Sequence, residues 1–129
     1  MPRPTRITIG ALGEDAAVHH LQQRGYTVLD RNFRTRRGEL DIVADDGSAI
    51  VFCEVKARVG SGGSGPSRPF DAIGPGKRRQ VLRMASEWLR AHPPGSGRPA
   101  REDLRFDALG IVLTPAGEVV ALEHLEQAF

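Results

Sequence analysis

Hydrophobic and polar positions recur along the chain with two different periods, which together predict two helices and five strands. Apolar residues recur at helical spacing in residues 10–24 and again in residues 77–91. Short segments rich in Val, Ile and Leu predict strands at residues 26–33, 39–44, 49–58, 104–113 and 118–122. The pattern therefore predicts an α/β (α+β) fold in the order α-β-β-β-α-β-β, with a central mixed β-sheet flanked by helices.

Glycine and polar residues mark the boundaries of these elements. Gly25 follows the first helix as a C-terminal glycine does, and Asp46-Gly47 is typical of a two-residue type I′ hairpin turn. Residues 1–9 are expected to form a flexible arm, and the Gly/Ser-rich residues 59–75 a flexible loop that can act as a substrate flap. With no repeat and no internal boundary, residues 1–129 are predicted to form one domain.

The second and third predicted strands each combine an apolar face with a charged one. Side chains alternate across a strand, so Asp41 lies on the charged face of the second strand. Glu54 and Lys56 share the charged face of the third strand. The apolar faces are predicted to consist of Leu40, Ile42 and Ala44 in one strand and of Val51, Cys53 and Val55 in the other.

The hairpin turn determines how the two charged faces meet. With Asp46 and Gly47 at the two turn positions, Asp41 lies opposite Phe52 and diagonal to Glu54, roughly 7–8 Å away at the backbone. Two carboxylates at that distance can share a divalent cation, and oxygen ligands favour Mg²⁺ or Mn²⁺. The pattern therefore indicates a metal site on this hairpin.

A metal with a neighbouring ammonium group suits phosphodiester hydrolysis. The metal neutralises charge on the phosphate and makes a water molecule nucleophilic, and Lys56 can orient that water or stabilise developing negative charge. The backbone carbonyl oxygen of Val55 can complete the coordination shell.

Glu14 is a fourth candidate for this site. It lies near the start of the first helix, where a carboxylate is also favourable for the helix dipole alone. Gly10 and Gly13 are poor helix formers, which suggests that the helix backbone approaches another element there. The Glu-Val-Lys sequence at residues 54–56 is common in strands without function, so Asp41 on the adjacent strand is needed to give it meaning.

Charge and composition narrow the class of protein. The net charge is only +2, yet basic residues form two clusters, which suits contacts with phosphate groups or, alternatively, two solvated faces. The clusters consist of Arg31, Arg34, Arg36 and Arg37, and of Lys77, Arg78, Arg79 and Arg83. The single cysteine, Cys53, excludes an intramolecular disulfide. No signal peptide or membrane span is evident, so a cytoplasmic protein without membrane contact is expected.

Several segments together resemble the YraN-like family, an uncharacterised bacterial family. They are Gly13-Glu14, Arg31-Asn32-Phe33, GELDIV at residues 38–43, VFCEVKAR at residues 51–58 and KRR at residues 77–79. That family is similar to the archaeal Holliday junction resolvases, within the PD-(D/E)XK (restriction-endonuclease-like) nuclease superfamily. The resemblance extends from about residue 10 to residue 113. It implies a restriction-endonuclease-like three-layer fold and a nuclease-like domain.

The resemblance also implies roles for individual residues. Asp41 and Glu54 match the two metal-binding acids, Lys56 matches the catalytic lysine, and Glu14 matches a helix acid that helps to bind metal through water. Leu40 stands where the superfamily name places a proline. The residues expected to contact nucleic acid are Arg34, Arg36, Arg37, Arg58, Lys77, Arg78 and Gln80, and the segment Arg105-Phe106-Asp107 matches family positions without an assigned role.

Three functional hypotheses follow. The first is a Mg²⁺- or Mn²⁺-dependent endonuclease that cuts DNA, with branched or damaged DNA as a candidate substrate and a homodimer as a candidate assembly. The second is a nucleic-acid-binding module that retains the site without cutting. The third is an interaction protein in which the acids are structural. Metal-dependent cleavage distinguishes the first hypothesis, and salt-dependent binding without cleavage distinguishes the second.

Overall fold

A computed structural model describes residues 6–60 and 74–129 of the chain. The predicted order of two helices and five strands is confirmed. The elements are α1 (Arg6–Gln23), β1 (Thr27–Thr35), β2 (Gly38–Asp45), β3 (Ala49–Val59), α2 (Pro75–Ala91), β4 (Asp103–Leu113) and β5 (Val119–Leu125).

The five strands form one mixed sheet in the order β1-β2-β3-β4-β5. Neighbouring strands are antiparallel except β3 and β4, which run parallel over eleven paired positions from Ala49–Asp103 to Val59–Leu113. A parallel pair needs a crossover connection, and α2 lies on that connection. The mixed sheet predicted from the sequence is therefore confirmed, with its single parallel pair at the centre.

The two helices pack on opposite faces of the sheet and produce three layers. Alternation along the strands divides the buried side chains into one cluster for each helix. The α1 cluster includes Ala17, Leu21, Ile42, Ala44, Val51, Cys53, Leu109, Ile111 and Leu113. The α2 cluster includes Leu40, Val43, Ile50, Phe52, Val81, Met84, Ala85 and Trp88. No helix of the described residues is long and apolar enough to span a membrane.

Parts of the two segments predicted to be flexible belong to helices or strands. Helix α1 begins at Arg6, so residues 6–9 of the predicted arm are helical. Val59 completes β3 because it pairs with Leu113, and Pro75 opens α2 at a position where its missing N–H costs nothing. The remaining parts of both predicted segments, residues 1–5 and 61–73, lie outside the described residues.

The predicted hairpin register is wrong by two residues. Gly47 and Ser48, not Asp46 and Gly47, occupy the turn, because Asp46 N–H donates to the Ala49 carbonyl at 3.2 Å. The Asp46 carboxylate accepts the backbone N–H groups of Ser48 and Ala49, both at 2.7 Å, and Gly47 takes the positive φ of +97°. A glycine at the first turn position suits a type II′ turn.

The corrected register changes how the two predicted metal-binding acids are placed. The last β2–β3 pair before the site is Ile42 with Cys53, so the next residues on the two strands are Asp41 and Glu54. Pairing between β2 and β3 ends at Ile42 and Cys53, so these two acids lie where the strands separate and do not form the predicted diagonal pair of one continuous ladder.

The predicted face of Leu40 is also wrong. Leu40 belongs to the α2 cluster, whereas Ile42 and Ala44 belong to the α1 cluster. Strict alternation fails at Asp41, where β2 stops pairing with β3 and the Asp41 carboxylate accepts the Val55 N–H at 2.7 Å. A side-chain oxygen thus takes the place that a backbone carbonyl would have in a continued ladder.

Candidate metal and nucleic-acid site

Asp41 lies where β2 and β3 separate, and its carboxyl group is partly buried there. Burial and the nearby charge of Glu54 raise the pKa of Asp41 to about 7. The hydrogen bond from Val55 N–H opposes this rise, and the neighbouring Glu39 side chain adds to it. Ionising Asp41 at neutral pH therefore costs free energy, and a nearby cation would offset that cost.

Glu54 projects from β3 toward the first turn of α2. Its Oε1 lies 2.9 Å from the Nζ of Lys77, and its side chain is only 11% exposed. Lys77 was predicted as a nucleic-acid contact, whereas here it forms the ion pair of a predicted metal ligand. The ammonium group of Lys77 therefore offsets the negative charge of Glu54.

Glu14 reaches the same region from α1. It accepts hydrogen bonds from Asn32 Nδ2 at 2.8 Å and from Arg31 Nε at 3.3 Å. A Cβ added to Gly13 would overlap the Cβ of Ala57, so glycine lets α1 lie directly on β3 at this point. The predicted close approach is therefore confirmed for Gly13 and fixes the position of Glu14.

Gly10 behaves differently from Gly13. Within the described residues, no atom outside the neighbouring turns of α1 lies within 4 Å of a Cβ built on Gly10, so the close approach predicted there is wrong. Gly10 instead lines the open cleft beside α1. The missing side chain of Gly10 therefore leaves space in the cleft and is not needed for close packing.

Two open clefts meet at Asp41. The cleft beside α1 has a volume of about 540 Å³, and the cleft beside α2 has a volume of about 420 Å³. Asp41, Glu39 and Arg34 line both clefts. The α1 cleft also includes Gly10, Ala11, Glu14, Arg31, Asn32, Val55 and Ala57, and the α2 cleft includes Thr35, Gly38, Glu54, Lys77 and Gln80.

Lys56 is exposed and lines neither cleft. Its neighbours Val55 and Ala57 pack toward α1, so alternation places Lys56 on the face of Glu54. Within the part of the chain that the structure describes, its side chain makes no hydrogen bond or ion pair. The ammonium group is therefore available to a ligand that approaches from solvent.

The donor set around Asp41 fits a divalent cation in part. Asp41 and Glu54 provide carboxylates that interact electrostatically, and Val55 directs its N–H toward Asp41. Because the N–H and C=O of one strand residue point to the same edge, the carbonyl of Val55 also faces this gap. Among residues 6–60 and 74–129, however, no three His, Cys, Asp or Glu side chains are grouped closely enough to hold a metal ion, so Glu14 does not join the other two acids.

The residues predicted to contact nucleic acid divide into three groups. Arg34, Lys77 and Gln80 line the α2 cleft. Arg36 and Arg78 are exposed and line neither cleft, and Arg37 lies 3.6 Å from Glu87. Arg58 differs from all of these, because its Nε is buried without a hydrogen-bond partner.

Among the cleft residues that were not predicted as site residues, three form the hydrogen bonds that position the acids. Glu39 is held by Arg34 Nε at 2.6 Å, while Arg31 and Asn32 hold Glu14. Asn32 has a positive φ of +55°, which asparagine tolerates better than most residues. The Arg-Asn-Phe segment was the available signal, since a polar pair inside a strand has poor strand propensity.

Comparison with known proteins identifies the family to which this site belongs. A model of the uncharacterised protein family UPF0102 matches residues 13–111, which include all four predicted catalytic residues. The chain belongs to family UPF0102. This finding confirms the family predicted from the sequence, the one described there as YraN-like.

Relatives in the family align with the chain over nearly its whole length. The UPF0102 protein of Frankia casuarinae is 40% identical over 121 residues, which are 94% of this chain and 95% of the relative. The UPF0102 protein of Geobacter metallireducens is 42% identical over 122 residues, covering 95% of this chain and 92% of the relative. The UPF0102 protein of Parafrankia sp. is 43% identical over 122 residues, covering 94% and 95%.

Proposed function

We propose that this UPF0102 protein is a Mg²⁺- or Mn²⁺-dependent endonuclease of the PD-(D/E)XK type, which hydrolyses phosphodiester bonds in branched or damaged DNA. The observation that carries the proposal is the placement of Asp41 and Glu54 immediately beyond the last β2–β3 pair, at the point where the two strands separate. The raised pKa of Asp41, about 7, marks a site that favours a cation.

Asp41, Glu54 and the carbonyl oxygen of Val55 would hold the metal. When bound, a divalent cation of this class supplies charge neutralisation at a phosphate and lowers the pKa of a coordinated water. The protein contributes the fixed positions of the two carboxylates, which sit on paired strands and not on loops. It also keeps the Asp41 carboxyl oriented through the Val55 N–H.

The basic residues around the site have separate tasks in this proposal. Lys56 is exposed on the face of Glu54, so it can approach a phosphate and stabilise negative charge there. Arg34 and Gln80 line the α2 cleft and would contact the nucleic-acid backbone, which carries no sequence information. Glu14 would hold a water molecule at the far side of Asp41, across the α1 cleft.

A second function, binding of nucleic acid without cleavage, is favoured by a different observation. Glu54 is already paired with Lys77, and Lys56 lines neither cleft. A site arranged in this way can keep its basic surface for phosphate contacts and lack turnover. Binding that weakens as salt concentration rises, without any cut product, would identify this function.

The test is a cleavage panel. Linear, flapped and four-way DNA are incubated with the wild-type protein in Mg²⁺, Mn²⁺ or EDTA, and the products are separated on denaturing gels. We expect metal-dependent cleavage of a branched substrate. Asp41→Ala, Glu54→Ala and Lys56→Ala should each lower the rate by at least about 100-fold, since each removes a group that acts on the reacting phosphate.

The control is Asp103→Ala, which removes an exposed acid at the start of β4, outside both clefts. This variant should cleave like the wild type, and all variants should give the wild-type circular dichroism spectrum. Cleavage that survives in Asp41→Ala and Glu54→Ala would indicate a contaminating nuclease or another site. Salt-dependent binding of DNA without cleavage in any metal would establish the binding module instead.

A further inference from the structure

The charges that line the two clefts nearly cancel. Four acidic residues line them, and three basic residues come from β1 and α2. If Asp41 is ionised, these seven side chains carry one net negative charge, and a divalent cation would reverse it to one net positive charge. The acidic set is Glu14, Glu39, Asp41 and Glu54, and the basic set is Arg31, Arg34 and Lys77.

Each basic residue of this set is already engaged by one of the acids. Arg31 lies 3.3 Å from Glu14, Arg34 lies 2.6 Å from Glu39, and the third pair joins Lys77 to Glu54 at 2.9 Å. Asp41 is the acid without a basic partner within the described residues. The Lys77–Glu54 pair is the one that engages the predicted metal ligand on the strand next to Asp41.

The position of Glu54 beside the first turn of α2 is favourable for the helix as well as for Lys77. It contains no acidic residue, and its N-cap, Gly74, makes no side-chain capping hydrogen bond. A helix N-terminus favours negative charge and disfavours a lysine. Glu54, contributed by β3, therefore supplies the anion that the start of α2 lacks in its own sequence.

We propose that Lys77 is an internal counterion that competes with the divalent cation for Glu54 and is released from Glu54 when metal binds. This inference rests on the metal site of the proposed function. Release would leave an ammonium group in the α2 cleft next to Arg34 and Gln80. Before metal binds, the basic side chains of the site are paired with its own carboxylates. After metal binds, the ammonium group of Lys77 would be free to contact a phosphate diester.

The first test measures metal binding alone, without nucleic acid. The affinity for Mn²⁺ is measured by electron paramagnetic resonance for the wild type, Lys77→Met and Lys77→Arg. Removing the competing cation should tighten Mn²⁺ binding about tenfold in Lys77→Met, whereas Lys77→Arg keeps the competing charge and should stay within threefold of the wild type. Arg79→Met is the matched control, since Arg79 is an exposed cation near the start of the same helix and forms no ion pair with the residues that the structure describes.

The second test follows Lys77 itself. Lys56 and Lys77 are the only lysines of the chain, so acylation of each by an amine-reactive ester can be followed by mass spectrometry. Adding Mg²⁺ should raise the labelling rate of Lys77 several-fold in the wild type. In Glu54→Gln, Lys77 should be labelled rapidly with or without Mg²⁺, because its partner has lost its charge.

The outcomes separate this inference from the proposed function. Mn²⁺ binding by the wild type with no tightening in Lys77→Met beyond that in Arg79→Met overturns the counterion role and leaves the metal site intact. Absence of Mn²⁺ binding in the wild type and in Lys77→Met overturns both. Binding in Lys77→Met alone supports the inference, since it shows that Lys77 was the group that kept metal out.

Discussion

At the scale of single residues, the sequence singled out two acids that lie at the candidate site, but it did not predict the side chains that surround them. Asp41 and Glu54 stand out because acids are rare in strands, and both lie in the site region. The raised pKa of Asp41 depends on burial and on Glu54 across the hairpin. The Lys77 partner of Glu54 lies on a different element, and no local pattern predicts such a long-range pair.

Asp107 belongs to a buried polar network whose role the sequence left open. It is fully buried and accepts hydrogen bonds from Arg105 Nε and Nη2, both at 2.9 Å, and from His124 Nε2 at 2.8 Å. Burial alone would raise the pKa of Asp107, but the hydrogen bonds from His124 and Arg105 outweigh it and lower the pKa. The network joins β4 to β5 and, through Arg105, to Asp46 of the β2–β3 turn.

Asp107→Asn is predicted to destabilise the protein strongly. The substitution removes the charge that Arg105 and His124 face, and Arg105 is only 15% exposed. Breaking one side of a buried ion pair costs about 3 kcal/mol or more, measured as the free energy of unfolding in urea. The control is Asp15→Asn, whose exposed pair with Arg31 at 2.8 Å should contribute less than about 1 kcal/mol. Equal losses for the two variants would contradict a structural role for the network.

At the scale of elements, side-chain contacts determine the position of the β2–β3 turn, which the pattern of apolar and polar residues does not fix. Asp46-Gly47 and Gly47-Ser48 both suit a two-residue turn. The choice falls on Gly47-Ser48 because the Asp46 carboxylate binds the N–H groups of the residues that follow it. Strand positions were predictable from apolar periodicity, whereas the register depended on this one side chain.

The contact between α1 and β3 leads to a prediction about two glycines. Gly13→Ala should destabilise the protein by about 2 kcal/mol, because the new methyl group overlaps Ala57 and must push α1 away from β3. Gly10→Ala should be neutral or stabilising by about 0.5–1 kcal/mol, since it is a helical position with open space around it. Thermal denaturation measures both.

A double variant checks the physical reason for this difference. Ala57→Gly removes the methyl group that Gly13→Ala would meet. The double variant should therefore recover part of the stability lost in Gly13→Ala, which is a measurable coupling between neighbouring sites. Additive losses would mean that steric overlap with Ala57 is not the cause.

At the scale of the whole molecule, the class of fold followed from the sequence and the assembly of the site did not. Alternation and helical spacing are local properties, so they predicted the element order that the structure confirms. The clefts instead require α1, β1, β2, β3 and α2 to converge. Arg31 reaches Glu14 because α1 packs against β1. Lys77 reaches Glu54 because α2 packs on the opposite face of the sheet.

The ionisable groups of the molecule act on stability in opposite directions as pH changes. The pKa values of Asp46 and Asp107 are lowered in the folded state, so their stabilisation is lost as pH falls through those values. Burial and the nearby His124 lower the pKa of His20, so the folded state favours the neutral imidazole. Protonation of His20 in the unfolded chain therefore lowers the free energy of unfolding as pH falls below about 6.5. The pKa of Asp41 is raised, so the folded state binds the extra proton and stability falls as pH rises from about 4 to about 7.

The raised pKa of Asp41 predicts how the stability of the protein in EDTA responds to Asp41→Asn. At pH 8 in EDTA the wild type holds a charged, partly buried Asp41 beside Glu54, and the neutral amide still accepts the Val55 N–H. Asp41→Asn should therefore melt roughly 5–10 °C higher than the wild type at pH 8, corresponding to about 2–4 kcal/mol. At pH 5, where Asp41 in the wild type is protonated, the difference should nearly disappear. Asp103→Asn, at an exposed position, should follow the wild type at both pH values, and an Asp41→Asn advantage that persists at pH 5 would show that charge is not its cause.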